Sequence, residues 1–269
     1  MAARASAVAG RHGARRGPAR RAPRAVLPQW PFGPPPGAPP DLSGAVVARA
    51  AEAILRAGLV ECGSVDVECD ASALGLLAGS VDSVQLSGTR WRSPKGLTAR
   101  RLAVRVGAGQ LDTSALLSRG AIELAEPKPR GSATIAFDVA DFGNLLRHPL
   151  MLAASAGVAD LTGDGVTLTR TAGQGDAIEF QARPIGSSGT YAPYALRAAS
   201  DADGGVRVTA LAGADGALAQ GLQSMFASLT LDLQGSRFTF KQLAVDATGE
   251  VTLELRVLVE TFPSPVPQF

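Results

Sequence analysis

Long stretches of this chain alternate apolar and polar residues with a period of two, and this pattern constrains the fold more than any other feature. In residues 251–259 every second residue is apolar: Val251, Leu253, Leu255, Val257 and Val259. The same alternation recurs in residues 83–87, 101–106, 132–139, 229–234 and 237–241. Successive side chains of a strand point to opposite faces, so each segment has one dry face and one wet face. Strands of parallel α/β folds are apolar on both faces, so the alternation predicts an antiparallel sheet.

Several segments between these strands have the pattern of helices. Helices together with an antiparallel sheet predict the α+β class. A cap at Asp41 or Ser43 predicts a helix that runs to about Arg56. A second helix is expected over residues 141–156, with a kink or break at Pro149. Shorter helices are expected near residues 72–78, 112–117 and 216–225.

Two faces can be distinguished on the first of these helices. Apolar residues at helical spacing form one face: Val46, Val47, Ala50, Ile54 and Leu55. Small residues predict close packing of another face against a sheet: Ala48, Ala51 and Ala53. No apolar run in the chain reaches the ~18–20 residues of a membrane-spanning helix.

The first 40 residues differ sharply in composition from the rest. They contain seven arginines and no acidic residue, so the remainder has 26 − 7 = 19 basic and 24 acidic residues, a net charge of −5. This balance argues against nucleic acid as a partner of the fold. The leader is rich in Ala and Arg and lacks an apolar centre, which predicts an organellar transit peptide followed by a proline-rich linker. We expect residues 1–40 to be disordered and residues 41–269 to form one domain; a basic tail that binds RNA is the alternative interpretation of the leader.

Motifs of conventional catalysis are missing from the sequence. Two histidines, His12 and His148, and two cysteines, Cys62 and Cys69, are too few for a His-rich metal site or a four-cysteine zinc site. No Walker loop, dinucleotide fingerprint or Gly-x-Ser-x-Gly motif occurs. We therefore expect no catalytic residues, no metal and no cofactor. His148 is expected to be a structural residue at a helix end, and an enzyme that acts on a lipid through His148 is a rival hypothesis.

A basic cluster that contains a tryptophan lies between two expected strands: Arg90, Trp91, Arg92 and Lys95, followed by Arg100 and Arg101. The amphipathic indole and the cations suit an interface with anionic lipid headgroups. A solvated hairpin loop with one packed tryptophan would have the same sequence.

Three segments resemble the LmeA-like phospholipid-binding family, in the form found in cyanobacteria and plastids. They are "GSVDSVQLSGTRWRSPKGLTARRLAVRVG" (residues 79–107), "LDTSALLSRGAIEL" (residues 111–124) and "ATIAFDVADFGNLLRHPLM" (residues 133–151). The resemblance covers nearly all of residues 42–264. It implies a strongly curved antiparallel sheet wrapped around a long helix, similar to tubular (TULIP-like) lipid-binding folds. The apolar concave face would hold acyl chains, and the family offers no catalytic residue to transfer.

These observations predict a non-catalytic protein that binds, and in one version transfers, a phospholipid or another plastid lipid. The expected lipid-lining residues are Val46, Ala50, Ile54, Leu145, Met151 and Leu152. The expected contacts with headgroups or an anionic membrane are Arg90, Trp91, Arg92 and Lys95. The expected location is the chloroplast, in the stroma or at a membrane surface, with the mitochondrion as the alternative.

Two other functions fit the same residues. The first is a structural or assembly factor that binds a protein segment at the thylakoid or envelope; its protein partner is not named by the sequence. The second is a plastid-lipid-associated protein of the fibrillin kind, which shares the size and the targeting. It ranks lower because the three segments quoted above match the LmeA-like pattern better.

Overall fold

Antiparallel strands dominate the computed structural model, as the alternation predicts. The structure describes residues 42–112, 123–171, 175–199, 205–233 and 235–261. The described helices are α1 (Leu42–Gly58), α2 (Ala73–Leu77), α3 (Val139–Arg147), α4 (Pro149–Ser155) and α5 (Gly216–Ala227). The strands are β1 (Ser64–Asp70), β2 (Ser80–Val81), β3 (Ser83–Arg92), β4 (Thr98–Val106), β5 (Gly109–Gln110), β6 (Arg130–Phe137), β7 (Ala159–Thr171), β8 (Gly175–Pro184), β9 (Ala192–Ala198), β10 (Val206–Ala210), β11 (Thr230–Leu233), β12 (Ser236–Val245) and β13 (Val251–Val259).

The strands form two main sheets and one short ladder. A seven-stranded sheet has the order β1-β3-β4-β6-β13-β12-β11, and a four-stranded sheet has the order β10-β9-β8-β7. Strands β2 and β5 pair by themselves. Neighbouring strands are antiparallel in every one of these pairs. The predicted α+β class with an antiparallel sheet is therefore confirmed.

One face of the seven-stranded sheet is apolar from strand to strand. Cross-strand partners in six strands form a single row of apolar side chains: Val67, Leu86, Val104, Ala133, Leu255 and Phe240. Because the side-chain period of a strand is two, this register keeps the apolar residues of each strand on the same side of the sheet. The alternation along each strand thus combines into one continuous apolar face.

Most of the buried side chains lie where this face meets the other elements. The main hydrophobic cluster joins residues of both sheets with helices α3, α4 and α5, and its buried aromatic members are Phe137, Phe142, Phe180, Tyr194, Phe226 and Phe240. The rings of Phe180 and Phe226 meet edge to face with centroids 5.8 Å apart, a preferred aromatic geometry. A second cluster, around Val65 and Trp91, lies under α1.

Helix α1 packs against β1 through its small residues. Ala48 is buried and Ala51 is half-buried in the second cluster. A side chain at Gly44 would collide with the carbonyl oxygen of Cys69, so glycine permits the close approach of helix and strand. The prediction of a small-residue packing face is confirmed for Ala48 and Ala51. It is wrong for Ala53, which is exposed.

The predicted helix over residues 141–156 is broken in two, as Pro149 indicated. Asp138 caps α3, and its side chain forms a capping box with Asp141. Helix α3 ends at Arg147, and His148 lies between the two helices in an extended conformation. Pro149 begins α4 because a proline lacks the amide hydrogen that a continuous helix requires. Helices α2 and α5 confirm two of the shorter predictions. The third, over residues 112–117, falls outside the described residues from position 113 onward.

Candidate functional site

A surface cleft of about 450 Å³ lies beside helix α4. Its walls come from α4 and the residue after it, from β7, from the end of β8 and from the connection between β8 and β9: Leu152, Ser155, Ala156, Ala159, Asp160, Leu161, Arg183, Ile185 and Tyr191. Three of the large apolar side chains stay accessible, since Leu152, Ile185 and Tyr191 are 44%, 47% and 37% exposed. The volume falls within the roughly 300–1,000 Å³ that is typical of small-molecule sites.

One end of this cleft is polar and ordered by several contacts. Strands β7 and β8 place Asp160 opposite Arg183, and the Arg183 Nε lies 3.1 Å from the Asp160 carboxylate. The guanidinium stands over the Tyr191 ring, 4.6 Å from its centroid, and its Nη1 donates to the Gly189 carbonyl at 3.5 Å. These contacts hold a half-buried cation beside an exposed apolar surface, which is the pair of features that an amphiphile can bind.

A second cleft, also about 450 Å³, lies on the opposite side of α4. It is formed between α4, α5 and the start of β11: Ala154, Val158, Gly221, Ser224, Met225, Ser228, Leu229 and Thr230. Helix α4 has the sequence PLMLAAS, so it presents small residues to both clefts. Small side chains here leave space on either side of the helix that larger residues would fill.

The six residues predicted to line a lipid site are not brought together. Leu145 and Met151 are buried in the main cluster, and Leu152 reaches the first cleft. The other three lie on the outer face of α1: Val46, Ala50 and Ile54 are all exposed. Helix α1 packs on β1, whereas α3 and α4 pack on β7, so the set is split between two regions. Lipid contact by these residues remains a prediction.

Trp91 is a core residue, and this corrects the expectation that its ring contacts headgroups. The side chain is only 6% exposed, and its Nε1 donates to the Ser64 carbonyl at 2.9 Å. Strict alternation would place Trp91 on the face opposite Gly88. Arg90 has a left-handed backbone with φ +51°, which turns Trp91 onto the apolar side, over the missing side chain of Gly88. Nothing in the sequence indicates that Arg90 adopts a left-handed backbone conformation.

The three cations of the predicted contact surface remain accessible. Arg90 and Arg92 lie at the end of β3, and Lys95 lies in the turn before β4; all three are exposed. The turn is closed by the Ser93 side chain, whose oxygen accepts from the Leu97 amide at 3.1 Å. The structure therefore forms a solvated basic hairpin with one packed tryptophan.

His148 has the structural position that the sequence indicated. It is 3% exposed, and its Nδ1 accepts from the Leu150 amide at 3.3 Å at the start of α4. The Nε2 atom is buried and has no hydrogen-bond partner within the described part of the chain. Burial lowers the pKa of His148, and the positive charge of Lys95 lowers it further.

The described residues contain no group of three or more His, Cys, Asp or Glu side chains placed to hold a metal ion. Among the helices described, none has the length and apolar character needed to cross a membrane.

Residues at the polar end of the first cleft were missed by sequence reasoning. Asp160 and Arg183 are 23 positions apart, and only the β7–β8 register makes them neighbours. A weak signal was available, because Ile185 and Tyr191 are large apolar residues that flank a turn rich in glycine and serine. Such residues in a polar loop indicate either packing or an exposed contact surface.

The fold and its clefts define an α+β protein with two antiparallel sheets and partly apolar surface sites flanking one short helix. The chain belongs to the LmeA-like phospholipid-binding family, whose sequence model matches residues 41–260. This match confirms the family that the three sequence segments indicated, while the cyanobacterial and plastid form remains a prediction. No curated protein and no solved structure matches the chain.

Proposed function

We propose that the protein binds a phospholipid non-covalently in the clefts that flank α4, without chemical turnover. The observation that carries this proposal is the first cleft, which combines an accessible apolar wall with an ordered arginine in a chain of a phospholipid-binding family. Leu152, Ile185 and Tyr191 supply apolar contact for an acyl chain. The Arg183 guanidinium supplies N–H donors for a phosphate, a pairing that is stronger than a neutral hydrogen bond.

The Arg183–Asp160 pair also favours one class of headgroup. A phosphate alone would be attracted by Arg183 and repelled by the neighbouring Asp160 carboxylate, whose oxygen lies 3.1 Å from Nε. A zwitterionic headgroup avoids this conflict, because its phosphate can face Arg183 while its ammonium faces Asp160. We therefore propose a zwitterionic phospholipid as the preferred ligand.

The family resemblance extends the proposal to the shape of the protein. We propose that the seven-stranded sheet is strongly curved and wraps around helices in a tubular arrangement. Its continuous apolar row over six strands supports a concave apolar face that can hold further acyl carbons. A structure determined with bound lipid would test whether the acyl chains enter this face.

Native mass spectrometry of the full chain after incubation with phospholipid vesicles tests the binding proposal. We expect an adduct of near one lipid per chain, and extraction should return the lipid intact. The double variant Leu152→Asp/Ile185→Asp should lower the occupancy about tenfold or more, because each change places a charge in the apolar wall.

The matched control is Ala198→Asp/Ala212→Asp, which adds the same charge at two exposed positions that do not line either cleft. Its occupancy should equal that of the unmodified chain. Equal losses in both double variants, or no lipid on the unmodified chain, would contradict the proposal. Recovery of lysolipid or free fatty acid would instead show turnover.

We further propose that the lipid is taken from a membrane and that the basic hairpin contacts its anionic surface. Exposure of Arg90, Arg92 and Lys95 supports this contact. Co-sedimentation with anionic vesicles should weaken when Arg92 and Lys95 are both replaced by Ala, and unchanged binding would remove the hairpin from the contact.

The proposed location is the plastid. The acid-free, arginine-rich composition of residues 1–40 supports it. Fusion of these residues to a fluorescent reporter should direct the reporter into chloroplasts, whereas import into mitochondria would favour the alternative organelle.

A further inference from the structure

The outer face of α1 is apolar and exposed to solvent. Val46, Val47 and Ile54 are 70%, 43% and 43% exposed, and Ala50 and Ala53 are exposed as well. Helix α2, which contacts α1, adds Leu74 and Leu77 at 79% and 86% exposed. Accessible aliphatic side chains grouped on two adjoining helices are typical of interaction surfaces.

This surface is separate from the packing face of the same helix. Ala48 and Leu55 on the opposite side already pack with the second cluster. Glu52, the one acidic residue of α1, is also turned inward; its side chain is 12% exposed and accepts from the Val67 amide at 3.2 Å. The outer face therefore has no carboxylate of its own and is not needed to complete the core.

Cations border the apolar surface along one flank and at its end. Arg49 and Arg56 lie beside the stripe on α1. The Arg49 side chain is 81% exposed and its Nη1 pairs with the Glu52 carboxylate at 3.1 Å, while the Arg56 Nη2 donates to the Val65 carbonyl at 2.8 Å. Beyond the helix, the Val60 amide donates to the Arg92 carbonyl at 2.9 Å, which places the basic hairpin next to the C-terminal end of α1. One exposed carboxylate, Glu61, adjoins Arg92.

An apolar stripe bordered by cations is complementary to an anionic bilayer. The aliphatic side chains can enter the boundary between headgroups and acyl chains while the guanidinium groups stay at the level of the phosphates. The same border disfavours a second copy of this chain, because a two-fold contact would bring Arg49 and Arg56 of both copies onto one interface.

We propose that α1 is the membrane-docking helix of this protein, lying in the plane of an anionic phospholipid bilayer with Val46, Val47 and Ile54 inserted. Leu74 and Leu77 of α2 extend the inserted surface, and Arg49 and the basic hairpin contact lipid phosphates. This inference rests on the proposed function, because α1 would be the surface through which the protein meets the membrane and exchanges its bound phospholipid.

The test is co-sedimentation of the full chain with vesicles of phosphatidylglycerol and phosphatidylcholine, compared with vesicles of phosphatidylcholine alone. We expect the variants Val46→Asp/Ile54→Asp and Val46→Ser/Ile54→Ser to bind the anionic vesicles about tenfold less than the unmodified chain. The serine pair removes apolar area without adding charge, so its loss cannot be ascribed to repulsion. The arginines of residues 1–40 are present in every variant and cancel in the comparison.

Ala198→Asp/Ala212→Asp is again the matched control and should bind within about twofold of the unmodified chain. Thermal melting should show all variants folded, because the replaced side chains are exposed. Unchanged vesicle binding by the serine pair would overturn the proposal. It would also be overturned if light scattering showed the unmodified chain as a dimer that the serine pair dissociates without loss of vesicle binding.

Failure of docking and failure of ligand binding are distinguishable. Variants of α1 that lose vesicle binding should still carry a lipid in native mass spectrometry after incubation with detergent-solubilised lipid. An unmodified chain that docks through α1 but carries no lipid would overturn the proposed function and leave the docking helix intact.

Discussion

Helices α1 and α3–α4 have similar apolar patterns in the sequence, but the fold buries apolar residues of α3–α4 and leaves those on the outer face of α1 exposed. Helix α3 contacts β4 and β6 of the seven-stranded sheet as well as β7 of the four-stranded sheet, so its Leu145 and Leu146 are buried. Helix α4 contacts β7 and β11, and its Met151 is buried as well. Helix α1 packs on β1, and Val46 and Ile54 on its far side are exposed. Apolar spacing thus shows that a helix has an apolar face, while the number of layers around the helix decides whether that face becomes core or contact surface.

Truncation of one aliphatic side chain in each region should give the largest difference in the free energy of unfolding. Leu146→Ala removes a side chain that is 0% exposed and should lower the free energy of unfolding by about 2–5 kcal/mol, because it leaves a cavity. Ile54→Ala on α1 should change it by less than about 0.5 kcal/mol. Urea unfolding followed by circular dichroism measures both values. Equal losses would mean that the outer face of α1 is covered in solution.

Disrupting the close contact between α3 and β7 should give the next largest loss of unfolding free energy. A Cβ at Gly143 would lie 2.6 Å from the Gly163 carbonyl oxygen, so Gly143→Ala should force the helix and strand apart at a cost of about 1–3 kcal/mol. Gly157→Ala is the matched control, since nothing lies within 4 Å of its Cβ position. The same unfolding titration applies, and a neutral Gly143→Ala would show that this contact is adjustable.

Trp91 should show a smaller effect in the region of α1. Trp91→Phe keeps a ring in the second cluster but removes the Nε1 donor to the Ser64 carbonyl, so a loss of about 1 kcal/mol is expected. Arg92→Ala beside it should be close to neutral because the side chain is exposed. A neutral Trp91→Phe would indicate that the indole is not held by this hydrogen bond.

Protonation of His148 should give the smallest effect, confined to the α3–α4 region. Burial lowers the pKa of His148 below its ordinary value of 6.5, so the unfolded chain binds the proton more readily. The contribution of the neutral ring to stability is therefore fully present above about pH 6.5 and is lost as the pH falls below it. The melting temperature should decline from pH 7 to pH 5 in the unmodified chain.

His148→Gln should show a shallower decline over the same interval, while Ile54→Ala on α1 should keep the slope of the unmodified chain. The pH range in which His148 affects stability is separate from that of Glu52. The pKa of Glu52 is lowered from 4.5 chiefly by the hydrogen bond from the Val67 amide. The Glu52 contribution is lost only at lower pH. Identical slopes for His148→Gln and the unmodified chain would contradict the role of His148.

Much of the fold was predictable because it depends on local periodicity. The alternation of residues 251–259, the helical spacing in α1 and the break at Pro149 each depend on residues within a few positions of one another. The capping box at the start of α3 is local in the same sense, because Asp138 and Asp141 are three positions apart.

Little of the candidate site was predictable in the same way. Arg183, Asp160 and Tyr191 come together through the pairing of β7 with β8 and the connection that follows. Sequence spacing cannot specify that register, because many registers would satisfy an alternating strand equally well. The basic hairpin was visible in the sequence, but the burial of its tryptophan depends on the left-handed backbone of Arg90.

The sequence by itself determined the class of the fold, the extent of most helices, the contrast between residues 1–40 and the rest, and the family. Tertiary structure alone decided which apolar face is covered, which side of the sheet Trp91 occupies and which polar groups adjoin a cleft. The physical reason is that periodicity is a property of neighbouring residues, whereas burial depends on which distant segments pack together. For this protein, that difference separates the hydrophobic core from the surfaces at which we propose that lipid binds.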